Sequence, residues 1–483
     1  MHSTGSERLI LRLRRRPQAS GMRAAYNQRL RYFPFITMQK LRIGAGAGFQ
    51  GDRFEPAIIL AEQGKLDYLV LECLAERTIA LAHKARLENP ALGYDAFLER
   101  RIAPLLPLLK RGAVRLITNM GAANPEAAGQ KIIEIAQRLD IAIKVAVVTG
   151  DDVRAHLNSD TKVIESGRSL DSYPNVISAN AYLGVEALLP ALASDADIII
   201  TGRVADPSLF LAPIVHRFGW RLDDWDRLGQ GTVVGHLLEC AGQLTGGYFA
   251  DPGKKDVPDL AHLGFPLAEV DCEGNAVFSK IAGTGGRIDL ATAKEQLLYE
   301  VTAPSAYITP DVSADFTSVQ LEQAGENRVR AGSGRGHPRS PTFKVSIGYR
   351  AGFRGEGEIS YAGENAPARA ELAGQIIDAR LREHYPDLRI DFIGSTSIHR
   401  KNFFPDAKAY EVRVRAAANA TKRADAERIG EEIEALYTNG PAGGAGARKH
   451  VTEVIGIVSC LIPRDLVTSH VALIESHPEH ETV

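Results

Sequence analysis

The chain has 483 residues, 45% of them apolar and 24% charged, with a formal net charge of −2. This length predicts two or three domains. Acidic and basic residues nearly balance and no basic stripe with interleaved aromatics occurs, so no nucleic-acid partner is expected. No apolar run approaches the roughly 20 residues that span a bilayer, so no membrane partner is expected either. Four widely separated cysteines argue against a disulfide framework and favour a reducing cytoplasm.

Residues 1–37 differ from the rest of the chain. They are rich in arginine, contain a single acid, Glu7, and lack an apolar signal core. An arginine-rich, acid-poor start is typical of a transit peptide. The alternatives are a disordered extension or a translation start that is set too early, with Met38 as the true beginning.

Six apolar runs in the first 210 residues predict six β-strands. They begin at Leu41, Tyr68, Val114, Ile143, Val176 and Ile198. Such near-continuous runs are typical of strands buried on both faces, as in a parallel sheet. Each run ends in small or polar residues, and open α/β sheets bind ligands beyond the carboxyl ends of their strands. We therefore expect one anion-accepting pocket at that edge of the sheet.

The pattern changes near residue 230. Residues 38–230 alternate strands with helical segments, which predicts an α/β ligand-binding domain with a mostly parallel sheet and flanking helices. Residues 231–483 contain alternating strands and amphipathic helices, which predicts an α+β domain with a mixed sheet. We expect this second domain to complete the site and to contribute an interface between copies of the chain.

A glycine-rich turn follows the first run, with Gly44, Gly46, Gly48 and Gly51 before Asp52. It occupies the position of a dinucleotide-binding fingerprint, but Phe49 stands where that fingerprint needs a glycine. Backbone N–H groups of such a turn can still bind a phosphate or carboxylate at a helix N-terminus. The alternative is a tight turn against a neighbouring backbone.

Three polar residues follow other predicted strands. Asn119 could polarise a carboxylate or thioester carbonyl, and Arg203 offers a fork of donors for an anion. Asp206 could orient Arg203 or cap the next helix, and a purely structural Arg–Asp pair is the alternative.

His236, Glu239 and Cys240 have the spacing of one helix face. The first two could form a general base with its orienting partner, or supply two metal ligands. The alternative is a buried histidine that bonds Glu239 at a domain junction. No second cluster completes a metal set, so a divalent metal is not expected.

The predicted site thus has two groups of residues. The candidates for catalysis are Asp52, Asn119, Arg203, Asp206, His236 and Glu239. The candidates for ligand binding are Gly46, Gly48, Glu72, Gly121, Asn180, Thr201, Gly246, Gly247, Thr284 and Gly285. The chain has no Gly-x-Ser-x-Gly elbow, no P-loop lysine and no His-Glu-x-x-His, which disfavours a serine hydrolase, an NTPase or a zinc protease.

Six strings of the sequence together are more specific than any single glycine turn: GAGAGFQGDRFEPA (44–57), ITNMGAANPEA (117–127), ITGRVADPSLFLAP (200–213), GHLLECAGQLTGGYFADP (235–252), GTGGRIDLATAKEQLLYE (283–300) and AYITPDV (306–312). Through these strings most of the chain resembles the acyclic terpene utilisation AtuA family. The resemblance implies a role in the breakdown of acyclic terpenoids such as citronellol and geraniol, whose intermediates are branched acyl-CoA thioesters. Longer relatives continue into a small ferredoxin-like domain or are accompanied by it, which implies a possible companion subunit.

Two functions remain open at this stage. The first is a lyase, a hydro-lyase or carbon–carbon lyase, acting on a branched hydroxyacyl or dicarboxylic intermediate, with CoA as part of the substrate. The second is a non-catalytic subunit that binds ligand and organises an assembly with a small ferredoxin-like partner. A homo-oligomer is expected in either case.

Overall fold

The structure, a computed structural model, describes residues 40–401, 403 and 409–476. The interpretations of residues 1–37 and of Met38 lie outside these residues. Within them the predicted fold class is confirmed: a parallel core with flanking helices is followed by antiparallel sheets and further helices.

All six predicted strands of the first half are present. They are β1 (Leu41–Ala47), β2 (Tyr68–Leu71), β3 (Arg115–Thr118), β4 (Ile143–Thr149), β5 (Val176–Ala181) and β6 (Ile198–Thr201). The helices of this half and the junction are α1 (Glu55–Gln63), α2 (Glu76–Glu88), α3 (Leu98–Gly112), α4 (Pro125–Arg138), α5 (Val185–Ala193), α6 (Asp206–Phe218) and α7 (Trp225–Glu239). Helix α4 begins where its local chemistry requires, because the Asn124 side chain accepts a hydrogen bond from the Ala127 N–H and Pro125 is the first helical residue.

Five of the six strands form a parallel core in the order β1-β2-β3-β6-β4. Their carboxyl ends therefore share one edge of the sheet. The expectation that β5 belongs to this sheet is wrong: β5 pairs antiparallel with a strand of the second half. Its run is interrupted by Ser178 and Asn180, so it lacks the continuous apolar character of the parallel strands.

The second half extends the same sheet on both sides. Its strands are β7 (Pro266–Val270), β8 (Ala276–Lys280), β11 (Gln320–Gly325), β12 (Arg328–Gly332) and β18 (His470–Ser476). The ten-stranded order is β11-β12-β8-β7-β1-β2-β3-β6-β4-β18, and all the added pairings are antiparallel. The pairs β1–β7 and β4–β18 thus cross the boundary expected near residue 230, and the division into domains stays a prediction.

A small three-stranded sheet lies between these added strands in sequence. It contains β9 (Tyr307–Ile308), β10 (Ser313–Asp315) and β13 (Arg335–His337). Helix α8 (Leu290–Leu298) precedes it, and its N-terminus is fixed by a capping box between Asp289 and Thr292.

The last part of the second half has a recognisable topology. It consists of β14 (Thr342–Ala362), α9 (Ala366–Leu381), β15 (Arg389–Ile393), β16 (Glu411–Ala420), α10 (Arg423–Asn439) and β17 (Ala445–Pro463). The β-α-β-β-α-β sequence and the antiparallel order β15-β16-β14-β17 are those of a ferredoxin-like unit. We call these residues the ferredoxin-like unit.

The strands β14 and β17 are long enough to belong to two cores. Their distal halves, with α9 and α10, enclose Ile359, Ile377, Val414 and Ile433. The first half of β14 pairs with β5, where Val345 lies opposite Ala181 in a separate core. The ferredoxin-like unit is thereby joined to β5 of the first half through the continuous strand β14. Among the residues that the structure describes, no helix combines the length and apolar character that crossing a bilayer requires.

Candidate functional site

A cavity of about 810 Å³ opens at the carboxyl edge of the parallel core. Its wall includes residues that directly follow strands: Gly48 after β1 and Glu72 after β2. The first residue of α6, Asp206, and the last residue of α7, Glu239, complete this part of the wall. Six of the residues predicted from the sequence line the cavity: Gly48, Asp52, Glu72, Asp206, Glu239 and Gly247.

The turn after β1 is closed by its own aspartate. The Asp52 carboxylate accepts hydrogen bonds from the N–H groups of Gly48, at 2.6 Å, and Phe49, at 3.2 Å. Burial raises the pKa of Asp52, and these two bonds oppose that rise. A side chain at Gly48 would overlap the backbone of Cys240, so the turn packs tightly against the end of α7. The N–H groups expected to hold an anion are therefore occupied by Asp52.

Glu72 is a buried carboxyl held in place by two donors. Its Oε1 accepts from Asn119 Nδ2 at 2.9 Å and from the Leu74 N–H at 2.8 Å. Burial and the nearby charge of Asp206 raise the pKa of Glu72 to about 8, although Arg203 opposes the rise. A pKa raised in this way favours the protonated form of Glu72 at neutral pH.

Asn119 is fully buried and does not line the cavity. Its amide nitrogen donates to Glu72, and its oxygen accepts from the Cys73 N–H at 2.8 Å. Both ends of the amide are thus engaged in hydrogen bonds. Asn119 was expected to polarise a substrate carbonyl, but in the structure its side chain holds Glu72 in place.

Arg203 lies behind Asp206. Its side chain is 1% exposed, and its guanidinium donates to the Asp206 carboxylate and to the Leu74 carbonyl oxygen. The guanidinium also lies 4.4 Å from the centre of the Tyr182 ring. The two residues are therefore paired, and Arg203 does not reach the cavity surface. Asp206 does, and burial raises its pKa while Arg203 opposes the rise.

His236 and Glu239 share one face of α7, as their spacing predicts. His236 Nδ1 lies 2.8 Å from Glu239 Oε1. The imidazole is 1% exposed and packs against the rings of Tyr307 and Phe316, so only Glu239 of the pair lines the cavity. Burial raises the pKa of Glu239 to about 7, against the opposing effect of His236.

Seven further predicted residues do not line the cavity; they are Gly46, Gly121, Asn180, Thr201, Gly246, Thr284 and Gly285. Five of them have a clear structural reason for their position. Gly46 lies inside β1, where a Cβ would be 3.0 Å from that of Ala57. A Cβ at Gly121 would overlap the Thr201 carbonyl oxygen, and one at Gly285 that of Asp259.

Asn180 and Gly246 have different reasons. Asn180 joins His83 to Asp151 through two hydrogen bonds of 2.9 Å. Gly246 has a φ of +103°, which favours glycine in the turn after α7.

The polar lining residues that were not predicted include Glu76, Tyr182, Glu300, Tyr307 and Lys344. The Tyr182 hydroxyl donates to Glu76, and Lys344 Nζ lies 3.4 Å from the same carboxylate. Although burial acts in the opposite direction, these contacts and Arg203 lower the pKa of Glu76 to about 2. Glu76 and Tyr182 follow strands, so the rule used for the other residues could have found them. The other three come from the second half, where no local signal marks them.

The lining is strongly acidic. Its carboxyl groups are Asp52, Glu72, Glu76, Asp206, Glu239 and Glu300. Within the described part of the chain, Lys344 is its one lysine or arginine, and half of that side chain is exposed. No group of three or more histidine, cysteine and acidic side chains among the described residues is placed to hold a metal ion. The arrangement can hold and transfer protons, because adjacent carboxyls here have pKa values from about 2 to about 8.

These features define an α/β protein with an acid-lined cavity at the carboxyl ends of a parallel core. Residues 41–473 match the family model described as acyclic terpene utilisation family protein AtuA. The chain belongs to this family, as its motifs suggested. No curated protein and no solved structure matches the chain.

Proposed function

We propose that the protein is an enzyme of branched acyl or acyclic terpenoid catabolism that adds water to, or removes it from, an acyl intermediate. The observation that carries the proposal is the pair of Glu72 and Asp206 on one cavity wall. The raised pKa of Glu72 favours its protonated form at neutral pH, whereas the hydrogen bond from Arg203 favours the carboxylate of Asp206 and opposes the effect of burial on it. A carboxylic acid beside a carboxylate is what general acid–base catalysis needs.

The chemistry balances with these two groups alone. In the hydration direction, Asp206 accepts a proton from water as the water oxygen bonds to one carbon of a double bond. Glu72 donates its proton to the other carbon. Glu72 then becomes the carboxylate and Asp206 the acid, and a proton that passes from Asp206 to Glu72 restores the starting state. Elimination of water begins after the opposite transfer and reverses each step.

The rest of the lining suits the apolar part of a branched acyl chain. Leu74, Phe265, Tyr307 and Phe343 contribute apolar surface to the same cavity. An acid-lined interior disfavours an anionic group, so we place the carboxylate or the CoA phosphates of the substrate outside, on the side of Lys344. CoA is part of the substrate in this proposal, and no separate cofactor is invoked.

The test is turnover of branched hydroxyacyl-CoA and enoyl-CoA compounds, followed by mass spectrometry as the gain or loss of one water. Glu72→Gln and Asp206→Asn should each lower the rate by about 10²–10⁴-fold. Asn158→Ala, an exposed change away from the cavity, is the control. Turnover that survives both cavity substitutions would remove the assignment.

A second candidate is a non-catalytic subunit that binds ligand within an assembly, with a small ferredoxin-like companion. One observation favours it: large apolar side chains at the cavity are exposed to solvent, among them Phe49, Tyr248, Ile308 and Leu461. Against it, the chain already contains a ferredoxin-like unit. This candidate predicts that ligand raises the melting temperature while no turnover occurs, with or without added partners.

A further inference from the structure

The pair of His236 and Glu239 has two buried atoms without a hydrogen-bond partner in the structure. These atoms are His236 Nε2 and Glu239 Oε2. Buried polar atoms in folded proteins are ordinarily bonded, so each such exception needs an explanation. Glu239 lines the cavity, whereas His236 is enclosed by aromatic rings whose centres lie 5.3 Å from its own. The unpartnered carboxylate oxygen therefore belongs to the residue that a ligand can reach.

The position of the pair is fixed by close helix packing. A Cβ at Gly235 would overlap Pro207, so the absence of a side chain lets the last turns of α7 approach the start of α6. The Gln296 side-chain amide, from α8, donates to the His236 carbonyl oxygen at 2.9 Å. These contacts hold Glu239 near Asp206, whose charge contributes to the raised pKa of Glu239.

The groups around Glu239 leave its charge poorly balanced. Asp206 on α6 and Glu300 after α8 add like charge, and Tyr307 and Cys240 are neutral neighbours whose own pKa values are raised by burial. His236 is the group beside Glu239 that can accept a proton and so offset this charge. Burial of an unbalanced carboxylate is costly, which favours keeping one proton on the pair.

We propose that His236 and Glu239 form a second proton-transfer site in this cavity, with Glu239 as the residue that contacts the ligand and His236 as its positioning residue. The pair starts neutral, with the proton on Glu239 Oε1. Transfer of that proton to His236 Nδ1 leaves a Glu239 carboxylate that accepts a proton from the ligand. The pair then holds one added proton on an imidazolium between two aromatic rings, and the reverse steps return it.

The inference rests on the proposed function for its ligand, but the proton on Glu239 can be tested without turnover. A hydrophobic carbodiimide reacts with protonated carboxyls, and peptide mass spectrometry locates the adducts. In the wild-type protein at neutral pH, adducts should form on Glu239 and Glu72 but not on the ionised Glu76. Absence of an adduct on Glu239 overturns the proposal, whatever the other residues show.

The role of His236 is tested by His236→Asn. Asparagine keeps a hydrogen-bonding group in place of Nδ1 but cannot bind a proton at neutral pH. The pH at which labelling of Glu239 falls by half should rise, because His236 lowers the pKa of Glu239, while the profile of Glu72 stays unchanged. His83→Asn removes another buried histidine and should alter neither profile. An unchanged Glu239 profile in His236→Asn would show a purely structural histidine.

The two proposals fail separately. A protonated, His236-dependent Glu239 in a protein without hydratase turnover would refute only the reaction. Turnover with an unlabelled Glu239 would refute only the second proton-transfer site.

Discussion

Two regions of the molecule place buried carboxyl groups beside arginine, but the pKa of Glu72 at the cavity is raised whereas that of Asp391 in the ferredoxin-like unit is lowered. At the cavity, the charges of Glu72, Glu76 and Asp206 all act on one buried arginine, Arg203. In the ferredoxin-like unit, one carboxyl, Asp391, is bonded by Arg389, Arg400 and Arg415 at 2.8–3.1 Å. Asp391 is more deeply buried than two of these cavity carboxyls: 1% of its side chain is exposed, against 39% for Glu76 and 40% for Asp206.

The number of carboxyl groups for each arginine accounts for the difference between the two pKa shifts. With three carboxyls around one arginine, burial is not fully offset at Glu72 and its pKa rises to about 8, whereas Tyr182, Arg203 and Lys344 lower the pKa of Glu76 despite its burial. With three arginines to one carboxyl, hydrogen bonds from Arg415 and Arg389 overcome burial, and the pKa of Asp391 falls. Burial alone therefore does not mark a reactive carboxyl. A reactive carboxyl is marked by burial together with too few nearby positive charges, and this shortage distinguishes Glu72 in the cavity from Asp391 in the ferredoxin-like unit.

The largest expected effect comes from removing the shared arginine. Arg203→Met keeps most of the side-chain volume but leaves Asp206 without its cation and the Leu74 carbonyl oxygen without that donor. Breaking a fully buried ion pair on one side costs about 3–5 kcal/mol of the free energy of unfolding; because 40% of the Asp206 side chain is exposed, we expect about 3 kcal/mol here. Urea unfolding at neutral pH measures this cost. A midpoint equal to that of the wild type would mean that Arg203 does not balance the cavity charge.

The second prediction concerns how stability depends on pH. Glu72 has a pKa of about 8 in the folded chain, against an ordinary value of 4.5. Between these values the folded chain binds a proton that the unfolded chain has lost, so this residue lowers stability as the pH rises. Glu72→Gln removes the proton and keeps the shape of the side chain.

The measurement is urea unfolding of both proteins at pH 6 and pH 8. Glu72→Gln should lose less stability than the wild type over this interval, by about 2 kcal/mol. Glu62→Gln, a change at an exposed glutamate on α1, should follow the wild type. Parallel losses in all three proteins would show that Glu72 is ionised at neutral pH.

The parallel core was predictable from the sequence because its signals are local. Strands buried on both faces give continuous apolar runs, and the cap at Asn124 and the Pro125 start fix α4 within a few residues. The partner of β5 was not predictable, since it lies in β14, far along the chain. The ferredoxin-like unit was hidden by glycines inside β14: a Cβ at Gly355 would overlap the backbone of α10, so a residue that reads as a strand breaker serves close packing.

The candidate site was predictable only in part, and again the predictable part is the one with local signals. Residues directly after parallel strands, such as Glu72, were found because the topology gathers strand ends at one edge. Which of them face the cavity was not predictable, because Asn119 and Arg203 are engaged by other side chains and by backbone groups. Tyr307 and Lys344 arrive from elements whose pairing the sequence does not reveal.

The smallest expected effect reverses the sign of the pH dependence. Asp391→Asn removes a carboxylate whose arginine partners are a third to a half exposed, so the loss at neutral pH should be about 1 kcal/mol. Because the pKa of Asp391 is lowered, its contribution is present above the ordinary value of 3.8 and is lost as the pH falls. The variant should therefore approach wild-type stability in acid, whereas Glu72→Gln departs from the wild type in base, and turnover should not change. Equal destabilisation at pH 7 and at pH 3 would mean that the three arginines hold Asp391 by shape, without a gain from its charge.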